Sequence, residues 1–177
     1  LSMSGLEYMT GILEGRTPSA PISRLMGFAL NQVASGRIVF RGAPEFDTLN
    51  PLGTVHGGWY GTILDSAMAC AVMTKLPKGS VYTTLEYKVN LIRAVPLGTL
   101  VDCIGETDHV GRSTGVASGR LVGVETGTLY AKIDDLFGDA DHDAVEAFLD
   151  VEERHQVALA QVGVLVDHTV LLDVVVF

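Results

Sequence analysis

Asn50-Pro51-Leu52-Gly53-Thr54-Val55-His56-Gly57-Gly58 runs directly into Trp59-Tyr60-Gly61-Thr62-Ile63-Leu64-Asp65-Ser66-Ala67-Met68-Ala69-Cys70-Ala71-Val72-Met73. The first part reads as a loop closing on paired glycines, whose bare backbone N–H groups open a helix and favour negative charge there. The second part reads as that helix, expected from Gly57 to about Lys75 and stopped by Pro77 and Gly79. It carries one carboxylate, Asp65. The residues three and four positions away, Thr62, Gly61, Met68 and Ala69, offer no charge to pair with it. A buried unpaired carboxylate costs several kcal/mol or titrates upward. Two readings therefore stand, an Asp on a solvated helix face or a buried group retained for chemistry, and the glycine loop upstream favours the second.

Strand signals surround the helix. Ser4-Gly5-Leu6-Glu7 fits a capping box for a short helix ending near Gly15. Gly27–Val33 and Arg37–Gly42 flank the small-residue turn Ala34-Ser35-Gly36 and read as a hairpin. After the helix come Ser80–Ile92, Leu100–His109, Ser113–Val124 and Thr128–Ile133, with Val110-Gly111-Arg112 and Glu125-Thr126-Gly127 as turns. Val81, Thr83, Leu85, Tyr87, Val89 and Leu91 alternate with polar residues, the period of a half-buried strand. The expected fold class is α+β, an antiparallel sheet wrapped around one long helix.

The 177 residues are 47% hydrophobic and 19% charged, with a net charge of −9. That charge is local: residues 1–131 hold ten acidic and ten basic side chains, and residues 132–177 hold eleven acidic and two basic. The expected organisation is a domain over 1–131 and an acidic, then apolar, extension over 132–177. No basic stripe offers itself to nucleic acid. Asp167, His168 and Asp173 interrupt the most apolar run, so no segment approaches the roughly 20 residues of a membrane span. Leu1-Ser2-Met3-Ser4 does not read as a secretory leader. Cys70 and Cys103 lack metal-ligand spacing and read as free thiols of a reducing, cytoplasmic setting. With no second ligand at spacing from His56, no metal is expected.

The pattern Asn50-x-x-Gly53-x-x-His56-Gly57-Gly58, Asp65 seven positions on, Thr83-Thr84-Leu85-x-Tyr87-x-Val89-Asn90 and Gly98 resembles the hotdog-fold acyl-CoA thioesterases of the phenylacetic-acid-degradation type. Pro21-Ile22-x-x-Leu25-Met26-Gly27-Phe28 and Gly111-Arg112-Ser113 extend the resemblance over about residues 4–131. It implies hydrolysis of short- or medium-chain or aryl-acyl-CoA, with coenzyme A part of the substrate and no further cofactor. It also implies that Asn50 and the Gly57 N–H polarise the thioester carbonyl while Asp65 acts as general base or nucleophile. Counting along the family pattern selects Thr84 as the water-positioning hydroxyl; strand alternation puts Thr83 on the apolar face, and both stand. His56 is expected to shape the turn, with catalysis as a lesser reading. Gly58, Tyr60 and Met68 are candidates to line the substrate site, and Arg112 to meet the phosphates of coenzyme A.

Gly57 and Asp65 are eight residues apart on one helix, about 12 Å at 1.5 Å per residue. One reacting atom cannot touch both, so the expected assembly is a homodimer, or a homotetramer, in which each site joins two subunits. The rival reading is a non-catalytic acyl-CoA binder or sensor.

Overall fold

The computed structural model describes residues 2–139, and residues up to Asp139 form one compact unit. Helix α1 (Gly5–Leu13) begins at the expected capping box: the Glu7 N–H donates to Ser4 Oγ at 3.3 Å and the Ser4 N–H donates to Glu7 Oε2 at 2.8 Å. A short α2 (Pro21–Leu25) starts at Pro21, where a missing N–H is harmless. Strands β1 (Phe28–Ala34) and β2 (Arg37–Gly42) form the expected hairpin. Then come α3 (Gly57–Met73), β3 (Tyr82–Leu91), β4 (Val101–Val110), β5 (Thr114–Gly123) and β6 (Leu129–Asp139).

The six strands make one antiparallel sheet in the order β1-β2-β4-β5-β6-β3, with α3 packed across its inner face. At 17 residues, α3 is about 25 Å long, the length of roughly seven or eight strand residues. The inner face is apolar along β4 and β5: Val101, Cys103, Ala117 and Leu121 are fully buried, as are Ile63, Leu64, Ala67 and Met68 of the helix. Burying each large aliphatic side chain contributes about 1.5–3 kcal/mol. The outer face carries charge. Arg41 makes a two-pronged pair with Asp102 (2.7 and 2.8 Å), and Arg120 pairs with Glu106 at 2.6 Å.

Glycine sets the helix-to-sheet distance. A Cβ on Gly105 would lie 2.3 Å from the Ala67 carbonyl oxygen, and one on Gly119 would lie 2.8 Å from Ile133 and 3.0 Å from Met68. Only bare backbone lets α3 seat on β4 and β5. Gly105→Ala should therefore destabilise by about 3 kcal/mol, since the obstacle is helix backbone rather than a flexible side chain; urea unfolding is the measurement.

Two features depart from the sequence reading. Helix α3 ends at Met73, two residues before the expected Lys75, where Thr74 accepts the Gly36 N–H at 2.6 Å and donates to the Ala71 carbonyl at 2.6 Å. The sheet also passes the boundary drawn after Ala131, because β6 continues to Asp139, pairing with both β5 and β3. Ala131 and Ile133 are buried and Lys132 exposed, so the alternation persists beyond that boundary. Both flanking strands present ladder groups that a strand ending at 131 would leave unpaired. The rest of the expected extension, 140–177, lies outside the described residues.

Candidate active site

Asp65 sits midway along α3, half-buried, and accepts a 2.8 Å hydrogen bond from Thr84 Oγ1 of β3. The other hydroxyls nearby turn to the helix itself: Thr62 donates to the Gly58 carbonyl at 2.8 Å and Ser66 to the Thr62 carbonyl at 2.7 Å. Among the described residues no cation pairs with Asp65. Burial pushes its carboxyl above the ordinary value of 3.8, and the Thr84 hydroxyl opposes that rise.

A β-bulge sets Thr84, and not Thr83, against Asp65. The β3–β6 register shifts between Thr84 and Glu86, leaving Leu85 as the extra residue. C-terminal to it, odd-numbered residues face α3: Leu91 lies beside Gly57, and Tyr87 and Val89 beside Gly61. N-terminal to it the phase flips, so Thr84 reaches Asp65, Tyr82 reaches Cys70, and Thr83 is exposed. The pair beyond the carboxylate escaped the sequence reading. Tyr82 hydrogen-bonds Cys70, whose thiol is pushed up to about 12 by burial and then by the Asp65 charge.

At the other end of α3, His56 is the N-cap, and its Nδ1 accepts the Gly58 N–H at 2.9 Å. His56 thus shapes the turn with its ring as well as its backbone. Gly58 spends its donor on that cap, whereas the Gly57 N–H has no acceptor among the described residues. The loop before it is tied by a bridge between Leu49 and Val55 and by the His56 N–H to the Thr48 carbonyl at 2.8 Å. Within it, Asn50 Oδ1 accepts the N–H groups of Leu52 (2.9 Å) and Thr54 (3.2 Å), and Asn50 Nδ2 donates to Thr54 Oγ1 at 2.8 Å.

The remaining candidates lie elsewhere. Tyr60 is buried, its hydroxyl accepting the Val95 N–H at 2.8 Å, so it pins the segment after β3. Met68 is fully buried against the sheet, close to Gly119. Arg112 stands exposed on the β4–β5 turn; that hairpin meets the last turns of α3, where Gly115 lies beside Val72, at the far end from Gly57. Apolar character puts Tyr60 and Met68 in the core, since hydropathy does not distinguish a core wall from a pocket wall. No grouping of His, Cys, Asp and Glu suited to a metal occurs among the described residues. No helix among them is long and apolar enough to cross a membrane.

A half-buried carboxylate with a hydroxyl partner and a free N–H at a helix start are the parts acyl transfer to water requires. Residues 52–129 match the model of the thioesterase superfamily, and together with the fold this match supports a hotdog-fold thioester hydrolase. Within that class the chain is similar to proteins of the PaaI-like type. It is similar to a putative thioesterase, phenylacetic acid degradation-related, from Ralstonia eutropha JMP134, at 25% identity over 74% of this chain and 98% of that one, TM-score 0.68. A variant of the phenylacetic acid degradation protein PaaI from Thermus thermophilus matches at 25% identity, covering 68% of this chain and 100% of that one, TM-score 0.62. The Escherichia coli PaaI protein shares the fold at 17% identity, covering 78% and 97%, TM-score 0.68.

Proposed function

We propose that the protein hydrolyses acyl-CoA thioesters with short- or medium-chain or aryl-acyl groups, Asp65 acting as general base. The observation that carries this is Asp65 itself, partly desolvated, without a cation and held by Thr84. Burial moves its carboxyl toward the pH at which a base works, which suits proton abstraction better than nucleophilic attack. Water bound at Asp65 attacks the carbonyl carbon and gives its proton to the carboxylate. The Gly57 N–H and Asn50 Nδ2 stabilise the resulting oxyanion. Collapse breaks the C–S bond, and the leaving thiolate takes up a proton. The coenzyme is part of the substrate and no further cofactor enters. Free thiols at Cys70 and Cys103 agree with a cytoplasmic setting.

Gly57 and Asp65 act on one carbonyl only across a subunit boundary, and β3 supports how. Among the described residues it is an edge strand, with Leu85, Tyr87 and Leu91 44%, 46% and 53% exposed, a position that favours pairing with a second copy. Gly57 lies at the level of Leu91 and Asp65 at the level of Thr84. With the bulge at Leu85 discounted, these two levels are equidistant from Lys88. A two-fold axis at Lys88 sets Thr84 opposite the partner subunit's Leu91, and hence Asp65 opposite the partner subunit's Gly57.

The reading is tested by presenting purified protein with a panel of acyl-CoA esters and following thiol release. Turnover of at least one short, medium or aryl ester is expected. Tight binding of the esters without thiol release would make the protein a binder or sensor instead.

A further inference from the structure

Asn50 can serve an oxyanion only if its amide nitrogen, and not its oxygen, faces the substrate, and the loop around it fixes that choice. Two backbone N–H groups, from Leu52 and Thr54, both need an acceptor and both take Asn50 Oδ1. The nitrogen is thereby turned to the opposite side, where Thr54 Oγ1 receives one of its two hydrogens at 2.8 Å. Its second hydrogen has no acceptor among the described residues.

We propose that Thr54 is a positioning residue for hydrolysis: its hydroxyl oxygen holds the Asn50 amide so that the second N–H points out of the loop at the developing oxyanion. This rests on the reading of Asn50 as an oxyanion donor. The fold itself makes no comparable use of that hydroxyl. Thr54 is exposed, and the loop is closed by backbone bonds that any residue at 54 would keep: Asn50 N–H to the Thr54 carbonyl (2.8 Å), Gly53 N–H to the Asn50 carbonyl (3.0 Å), and the Leu49–Val55 bridge. Thr54→Val preserves shape and β-branching and removes the hydroxyl, and with it the acceptor. Thr54→Ser restores it.

The experiment measures kcat, KM and melting temperature for wild type, Thr54→Val, Thr54→Ser, Asn50→Ala and the Asn50→Ala/Thr54→Val double variant. Thr54→Val should lower kcat about tenfold, because a donor left loosely aimed loses part of its transition-state contribution, with KM within about twofold. The melting temperature should stay unchanged and Thr54→Ser should recover the rate. The double variant should be no slower than Asn50→Ala, since positioning has no value once the amide is gone. An equal further loss in the Asn50→Ala background, or full activity of Thr54→Val beside a crippled Asn50→Ala, overturns the proposal. Full activity of Asn50→Ala instead overturns the donor role of Asn50 itself, so the two failures are told apart.

Discussion

Asp65→Asn should lose about a thousandfold in kcat, the middle of the range for removing a general base, and should gain thermal stability at neutral pH. The two effects have one cause. A carboxyl whose pKa is higher in the folded chain than the unfolded one keeps its proton longer in the folded state. Between the ordinary value near 3.8 and the raised folded value, the native chain therefore holds more protons, and stability falls as pH rises through that window. Above it the charged, desolvated Asp65 is a standing cost that asparagine lacks, while an amide oxygen can still accept the Thr84 hydroxyl. Kinetics paired with melting curves at pH 4 and pH 7.5 test this: the stability gain should be full at pH 7.5 and much reduced at pH 4. The wild-type rate needs ionised Asp65, so its acid limb should fall above the ordinary value of 3.8. In Thr84→Val, which lacks the bond that lowers the carboxyl, the limb should move higher still. A variant that keeps its activity would remove Asp65 from the chemistry, and single-turnover hydrolysis in labelled water would show label in the Asp65 side chain if it attacked directly.

The hairpins, the long helix and the glycine loop were legible in the sequence because each has a local cause: a capping box, a small-residue turn, a period of two, a proline stop. Asp65 was legible as a residue out of place in an apolar helix. Thr84 was not separable from Thr83, because the bulge at Leu85 that flips the face of β3 depends on the partner strand, and a period-two reading carries one phase along the whole strand. The same non-local dependence hid the length of β6, which its two neighbours set. Cys70 and Tyr82 look like ordinary helix and strand residues until the bulge brings them together below the carboxylate. Thr54 carries no sequence signal beyond its place in the loop, since its use depends on which way one amide faces.

Mixing Asn50→Ala and Asp65→Asn subunits, each strongly impaired alone, should restore activity if sites are shared. In such a heterodimer one site carries both lesions, and the other joins an intact Asn50 and Gly57 from the Asp65→Asn chain to an intact Asp65 from the Asn50→Ala chain. One working site in two gives half the wild-type rate per dimer. A random equal mixture, half heterodimer, should reach about a quarter, assuming sites that act independently. The axis proposed at Lys88 supplies the means to test the assembly. Residues facing each other across an antiparallel pair have Cα atoms about 4.5–5.5 Å apart, within disulfide reach, so Lys88→Cys should cross-link to its own copy on mild oxidation. Glu86→Cys, set opposite the partner subunit's Asn90, would leave its two thiols four residues apart, about 13 Å, and should not. The native thiols interfere little: Cys103 is buried, and the Cys70 thiol, at about 12, holds almost no thiolate at neutral pH. Cross-linked heterodimers without activity would place Gly57 and Asp65 in separate sites. Equal cross-linking of both variants would move the axis away from Lys88 while leaving the test of sharing intact.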